Sequence, residues 1–150
     1  MNFFIALGKN KIFVIAILTW LIAQLIKVII GIITEKRFNF KWFVGTGGMP
    51  SSHCAGVAAL ATSVGIRFGY DSGIFAVALV FTIITMFDAQ GVRRSIGKQA
   101  EILNKMFEDL YFKKPIKEDR LIELIGHTPI QVFVGVILGI LCGYILYNIL

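Results

Sequence analysis

The sequence predicts an all-α bundle embedded in a membrane, with about four spanning helices and one amphipathic helix at the membrane surface. Composition, the length of the apolar segments and one periodic polar stretch carry this prediction. The 150 residues are 57% hydrophobic and 16% charged, with a mean hydropathy of +0.79. Because soluble domains carry about one-quarter charged residues, we interpret residues 1–150 as a single membrane domain.

The net charge of +6 suits a surface that faces anionic lipid headgroups, and the same cations also orient a membrane protein. The cations lie close to apolar segments, so nucleic-acid binding is not expected. Cys54 and Cys142 lie in apolar segments and lack the spacing of metal ligands. We expect neither a disulfide nor a metal site from them.

The first predicted helix covers residues 12–34, which exceeds the length of about 20 residues that a crossing requires. Gln24 and Lys27 lie near its C-terminal end. A lysine there either extends to the interface or has a function, the default interpretation of an ionisable residue in a span. Residues 35–49 form a polar, glycine-rich connection.

Three further helices are predicted over residues 50–68, 74–87 and 129–150. The first of these is rich in Ala, Gly and Ser, which allow helices to approach closely, so we expect it at the centre of the bundle. The same small residues suit contact with a second copy, and a homodimer is therefore an open alternative. Thr128 can cap the last helix, and Pro129 suits its first turn.

Residues 95–112 predict the amphipathic helix, because apolar side chains recur at helical spacing among charged ones. The apolar positions are Ile96, Ala100, Leu103, Phe107 and Leu110. Four spans place the polar connections 35–52 and 88–128 on one face, together with His53 and His127. That face carries most of the Lys and Arg residues, so the positive-inside rule predicts that it is cytoplasmic.

The groups gathered at that face match the needs of phosphoryl transfer. This reaction requires positive charge around the phosphate, an in-line nucleophile and an acid for the leaving alcohol. One histidine can attack phosphorus while the other protonates the leaving oxygen, without a metal or other cofactor. Cations, hydroxyls and backbone N–H groups are the candidate phosphate ligands, from Lys27, Arg37, Gly47, Gly48, Ser51, Ser52, Arg93 and Arg94.

Each of these residues also has a structural interpretation. A histidine at a membrane interface can be a polar anchor, Arg93 and Arg94 can orient the protein, and Asp88 can pair with either arginine. The chain has no HxxxH or HExxH pair and no G-x-S-x-G elbow, so a metal centre and a serine hydrolase are not favoured.

Three motifs occur in order: Gly48-Met49-Pro50-Ser51-Ser52-His53, Asp88-Ala89-Gln90-Gly91-Val92-Arg93-Arg94 and Gly126-His127-Thr128-Pro129. Together they resemble the divergent branch of the type 2 phosphatidic acid phosphatase superfamily, which also contains vanadium-dependent haloperoxidases. The resemblance extends from Gln24 to about Gly139. It implies a metal-independent phosphatase that works through a phosphohistidine.

By this resemblance, His127 is similar to the nucleophile, His53 to the general acid and Ser51 to a phosphate ligand. Gln131 occupies the position of the aspartate that orients the nucleophile. Its amide can accept a hydrogen bond from the imidazole but carries no charge, and Asp88 is the alternative carboxylate. Lys27 and Arg37, the first-motif cations, are farther apart than in the superfamily.

The expected substrate is a membrane lipid phosphate: phosphatidylglycerol phosphate, phosphatidate, or a polyprenyl phosphate or diphosphate. A cytoplasmic site favours a glycerophospholipid intermediate. The alternative is a non-catalytic membrane protein that binds anionic lipid headgroups. A haloperoxidase is a weaker alternative, because that chemistry suits a soluble scaffold.

Overall fold

The architecture was analysed in a computed structural model that describes residues 2–36, 48–90, 99–103, 106 and 127–150. Within these residues the chain is helical and contains no strand. The helices are α1 (Phe3–Gly8), α2 (Lys11–Glu35), α3 (Ser52–Phe68), α4 (Gly73–Gln90) and α5 (Pro129–Ile149). The prediction of an all-α membrane bundle is confirmed.

Among the described residues, three helices, α2, α4 and α5, meet the length and apolar composition of a membrane-crossing helix. The α3 helix has 17 residues and measures about 25 Å at roughly 1.5 Å per residue, at the short end of the range for a membrane-crossing helix. Its composition is explained by its position, because a helix surrounded by other helices needs little lipid-facing apolar surface.

The α3 helix lies at the centre of the bundle, as its small residues predicted. It packs against α2, α4 and α5. None of its buried residues is larger than valine; they are Ser52, Cys54, Ala55, Gly56, Ala58, Ala59, Ala61, Ser63, Val64 and Gly65. Small side chains let the backbones approach, so dispersion contacts between backbones hold this core together.

The closest of these contacts joins α3 to a row of glycines on α5. A Cβ atom added to Gly135 would lie 2.5 Å from the carbonyl oxygen of Ser51, and one added to Gly143 would lie 3.0 Å from the Cα of Ala59. Gly139 lies between them and faces Ala55 in the same way. These positions recur every four residues, so they form one face of α5 that only glycine can provide.

The long helices alternate in direction. At one end, residues from all four line a single cavity, among them Lys11, Arg67, Ile74 and Tyr147. At the other end, the backbone N–H of Ser51 donates to the carbonyl of Gln131, and that of His127 donates to the carbonyl of Ala89, both at 3.1 Å. The end of α4 and the starts of α3 and α5 therefore meet at one end.

The predicted amphipathic helix over residues 95–112 is described only in part. Residues 99–103 and 106 are helical, with Ala100 buried and its neighbours on either side exposed. The rest of that segment and residues 37–47 and 113–126 lie outside the described residues.

Candidate functional site

Two hydrogen bonds of Ser51 link the start of α3 to its own first turn and to α5. The Oγ of Ser51 accepts from the backbone N–H of Cys54 at 3.5 Å, and the N–H of Ser51 donates to the Gln131 carbonyl at 3.1 Å. The side chains of Ser51 and Ser52 are buried. Since the Ser51 N–H already has a partner, it is not available to an anion.

Lys27 of α2 lies beside this start, in contact with Gly48. The φ angle of Gly48 is +82°, a region that favours glycine, and a Cβ atom there would lie 3.2 Å from the Cγ of Lys27. The peptide bond between Met49 and Pro50 is cis. Lys27 is buried, and its Nζ donates to the Oε1 of Gln24 at 3.1 Å.

His127 occupies the junction of α3, α4 and α5. Its side chain is 2% exposed, and its backbone N–H donates to the carbonyl of Ala89 in the last turn of α4. Ala89 in turn packs in one apolar cluster with Cys54 of α3 and Val132 of α5. The backbone of His127 is therefore fixed beside a cluster to which three helices contribute.

Gln131 joins the imidazole to the cap of α5. The Oγ1 of Thr128 accepts from the N–H of Gln131 at 3.4 Å, and the Oε1 of Gln131 accepts from the N–H of Thr128 at 3.1 Å. These two bonds form a capping box. The same Oε1 lies 3.3 Å from the Nδ1 of His127.

This arrangement determines the tautomer of His127. The backbone N–H of Thr128 can only donate, so the Gln131 atom that faces it is the carbonyl oxygen. An oxygen that also faces Nδ1 requires Nδ1 to carry the ring proton. The lone pair is then on Nε2, which is buried and has no hydrogen-bond partner among the described residues. A polar atom left in this state costs about 1–3 kcal/mol.

Burial lowers the pKa of His127 below its ordinary value of 6.5, and the positive charges of Lys27 and His53 act in the same direction. The Gln131 side chain, which accepts from Nδ1, and the backbone of Gly48 raise the pKa, each by less than burial lowers it. The neutral imidazole therefore predominates at neutral pH.

Comparison with known families shows which family the chain belongs to. Residues 8–142 match the model of the divergent PAP2 family. The chain belongs to the divergent PAP2 family. The resemblance predicted from the three motifs is confirmed.

A relative of this divergent PAP2 protein is the "Uncharacterized membrane protein YuiD" of Bacillus subtilis (strain 168). The two are 45% identical over 135 residues, which cover 83% of this chain and 85% of that protein. No solved structure matches the chain. The relative supports placement of this family member in a membrane.

The divergent PAP2 bundle brings together His127, Gln131, Lys27 and Gly48, with Ser51 and Ser52 at the adjacent helix start. His53 lies in the first turn of α3 with its side chain exposed. Asp88 precedes Ala89 at the end of α4, but the group at Nδ1 of His127 is Gln131. The other predicted phosphate ligands, Arg37, Gly47, Arg93 and Arg94, lie outside the described residues.

Three features of the divergent PAP2 site were not predicted from sequence. They are the glycine face of α5 beginning at Gly135, the Ala89 carbonyl that holds His127, and Gln24 as the partner of Lys27. The spacing of Gly135, Gly139 and Gly143 was a usable signal for the first. The three-residue separation of Gln24 and Lys27 was a signal for the last, because such pairs face each other on a helix.

Proposed function

We propose that this membrane protein is a phosphatase that hydrolyses a lipid phosphate through a phosphohistidine on His127. The observation that carries the proposal is the Nε2 atom of His127, which is buried, without a partner among the described residues and left with its lone pair by the bond to Gln131. Membership of the divergent PAP2 family supports it. A neutral, oriented imidazole is the form that acts as a nucleophile.

In the proposed first step, Nε2 of His127 attacks phosphorus in line with the lipid oxygen. The N–P bond forms and the P–O bond to the lipid breaks. The imidazolium of His53 gives its proton to the leaving oxygen, so the lipid departs as an alcohol. Positive charge on Lys27 stabilises the charge that develops on the phosphoryl oxygens, with guanidinium groups as further ligands, namely Arg37, Arg93 and Arg94.

In the second step, the neutral His53 takes a proton from water as the water oxygen attacks phosphorus. The N–P bond breaks, inorganic phosphate leaves and His127 returns to its neutral form. His53 regains the proton that it gave away, so the cycle is closed. The exposure of the His53 side chain supports this role, because a general acid and base must reach both water and the leaving group.

The proposed substrates are phosphatidylglycerol phosphate, phosphatidate, and polyprenyl phosphates or diphosphates. His127 lies at a helix end rather than in mid-span, which is the depth at which a phosphate headgroup would meet it. The proposed orientation places this end in the cytoplasm, as the positive-inside rule predicts.

The test is phosphate release by the purified protein from defined lipids in the presence of EDTA. We expect His127→Ala to abolish release and orthovanadate, a mimic of pentacoordinate phosphorus, to inhibit the wild type. Labelled lipid quenched at alkaline pH is expected to leave an acid-labile phosphohistidine. Wild-type release by His127→Ala would refute the assignment of the nucleophile.

His53→Ala is the matched variant for the acid. A nitrophenyl phosphate has a leaving group that needs no protonation, so this variant is expected to retain phosphohistidine formation on that substrate while losing turnover of lipids. If His53→Ala loses activity equally on the nitrophenyl phosphate and on lipids, His53 is not the general acid.

A second candidate function is a non-catalytic protein that binds anionic lipid headgroups. The observation that favours it is Gln131, because a neutral amide cannot stabilise a positive charge developing on the imidazole. Tight binding of lipid phosphates without release of phosphate from any of them would support this candidate.

A further inference from the structure

A cavity of about 710 Å³ lies at the end of the bundle where α2 and α4 begin and α3 and α5 end. His127 and Ser51 lie at the opposite end. The 17 residues of α3 separate the two ends by about 25 Å at roughly 1.5 Å per residue. The cavity is therefore distinct from the candidate site and lies at the opposite end of the bundle.

Three cations line this cavity: Lys9, Lys11 and Arg67. Asp71, the acidic residue in the turn after α3, is not among the lining residues. Among the residues that the structure describes, no carboxylate forms an ion pair with any of the three cations. Like charges grouped without a counter-charge produce a positive potential that attracts an anion.

The remaining walls of the cavity are largely apolar. The Nζ of Lys11 lies 4.3 Å from the centroid of the Tyr147 ring, a cation–π contact that holds the ammonium group against the wall. The apolar lining comes from three helices and includes Ile12, Leu60, Val64 and Ile74. A ligand that matches these surfaces has an anionic group attached to an apolar chain.

We propose that this cavity binds the headgroup and upper acyl chain of an anionic phospholipid from the leaflet opposite the candidate phosphatase site. A free inorganic anion would satisfy the cations and leave the apolar walls in contact with water. A zwitterionic phospholipid would bring its own cation against Lys9, Lys11 and Arg67. The proposal does not depend on phosphatase activity, because it uses none of the residues of that site.

Native mass spectrometry of the full chain with phosphatidylglycerol or phosphatidylcholine tests the proposal. The wild type is expected to prefer phosphatidylglycerol. Each neutralised cation is expected to lower the affinity for phosphatidylglycerol about fivefold. The triple variant Lys9→Gln, Lys11→Gln, Arg67→Gln is therefore expected to lower it about 100-fold. A triple variant that keeps the wild-type preference overturns the proposal.

The charge-conserving triple variant Lys9→Arg, Lys11→Arg, Arg67→Lys is expected to keep the preference, which separates loss of charge from loss of fold. Lys36→Gln, which removes an exposed lysine at the other end of α2, is also expected to keep it. Loss of the preference in either variant overturns the proposal.

Two further measurements distinguish lipid bound in this cavity from lipid bound elsewhere on the protein. The preference is expected to persist in His127→Ala, because the two sites lie at opposite ends, and its loss there would assign the bound lipid to the candidate phosphatase site. Millimolar inorganic phosphate is expected not to displace the lipid. Displacement by phosphate, or a dimer in which a second copy covers the cavity and excludes lipid, overturns the proposal.

Discussion

The Nδ1 of His127 lies 3.3 Å from the Oε1 of Gln131, and the same oxygen accepts the backbone N–H of Thr128 at 3.1 Å. One amide oxygen therefore completes the capping box of α5 and selects the tautomer of the proposed nucleophile. A carboxylate in this position would also stabilise a charged ring. The amide of Gln131 orients the ring but, having no charge, does not stabilise a positive charge on it.

Gln131→Ala removes the group that orients His127. We expect turnover to fall about 100-fold, since a displacement of about 1 Å at a reacting atom costs that much. Phosphate release from a lipid substrate measures the effect. Thr128→Ala is the matched control, because it removes the capping hydroxyl and keeps the backbone N–H that holds Gln131.

Thr128→Ala is expected to lower the free energy of unfolding by about 1 kcal/mol with turnover near that of the wild type. If Thr128→Ala and Gln131→Ala reduce turnover equally, the effect belongs to the helix cap and Gln131 has no separate orienting role.

The lowered pKa of His127 predicts a specific pH dependence of activity. The ordinary pKa of histidine is 6.5, and the pKa of His127 is lower. His127 is therefore expected to stay neutral below pH 6.5. The fall of kcat/KM at acid pH that reports its protonation is expected below pH 6.5 as well. Gln131→Glu places a carboxylate beside the ring and is expected to move this limb to higher pH. An acid limb that is unmoved in Gln131→Glu would contradict the contact with His127.

The same group makes stability depend on pH. The unfolded chain takes up a proton as pH falls through 6.5, whereas the buried ring resists it until its lower pKa is reached. The unfolded state therefore binds more protons in this window, and stability falls with decreasing pH. Thermal unfolding in detergent is expected to show this loss in the wild type and a smaller loss in His127→Gln.

Gly135→Ala tests the contact that aligns α5 with the start of α3. The new Cβ would lie 2.5 Å from the Ser51 carbonyl oxygen, so one helix must move. Forced packing of this kind typically costs about 1–3 kcal/mol, and the shift separates Gln131 from Ser51. We expect a lower melting temperature and lower turnover.

Gly73→Ala is the control for Gly135→Ala, because a Cβ atom at Gly73 meets nothing within 4 Å. It is expected to leave both the melting temperature and turnover near wild-type values. If Gly135→Ala keeps the melting temperature and turnover of the wild type, α5 and α3 are not packed closely enough to exclude a Cβ atom at this position.

Lys27→Met tests the cation beside Gly48. Methionine fills much of the same volume without charge, so the fold is expected to persist while turnover falls about 100-fold, as for the loss of one group that stabilises transition-state charge. Lys36→Met, at the exposed end of α2, is the matched control and is expected to keep most of the activity. Unchanged turnover in Lys27→Met would exclude this lysine from the phosphate site.

Much of the fold followed from local patterns. Apolar length predicted the helices over α2, α4 and α5, and the small residues of α3 predicted its central position, because both depend on how single segments meet lipid or neighbouring helices. The central helix α3 has 17 residues, at the short end of the range for a membrane-crossing helix, because it is packed inside the bundle. The three motifs, at residues 48–53, 88–94 and 126–129, were sufficient to predict the family.

The properties of the site that depend on several helices could not be predicted in this way. The sequence identifies His127 and Gln131 as site residues. Which nitrogen of His127 keeps its lone pair depends on the hydrogen bonds of Gln131, and these form only when α5 is capped. The pKa of His127 is lowered by burial, and burial arises only in the folded bundle, where the backbone of His127 is bonded to Ala89 of α4. The cationic cavity at Lys11 and Arg67 likewise exists only because residues distant along the chain meet at one end of the folded bundle.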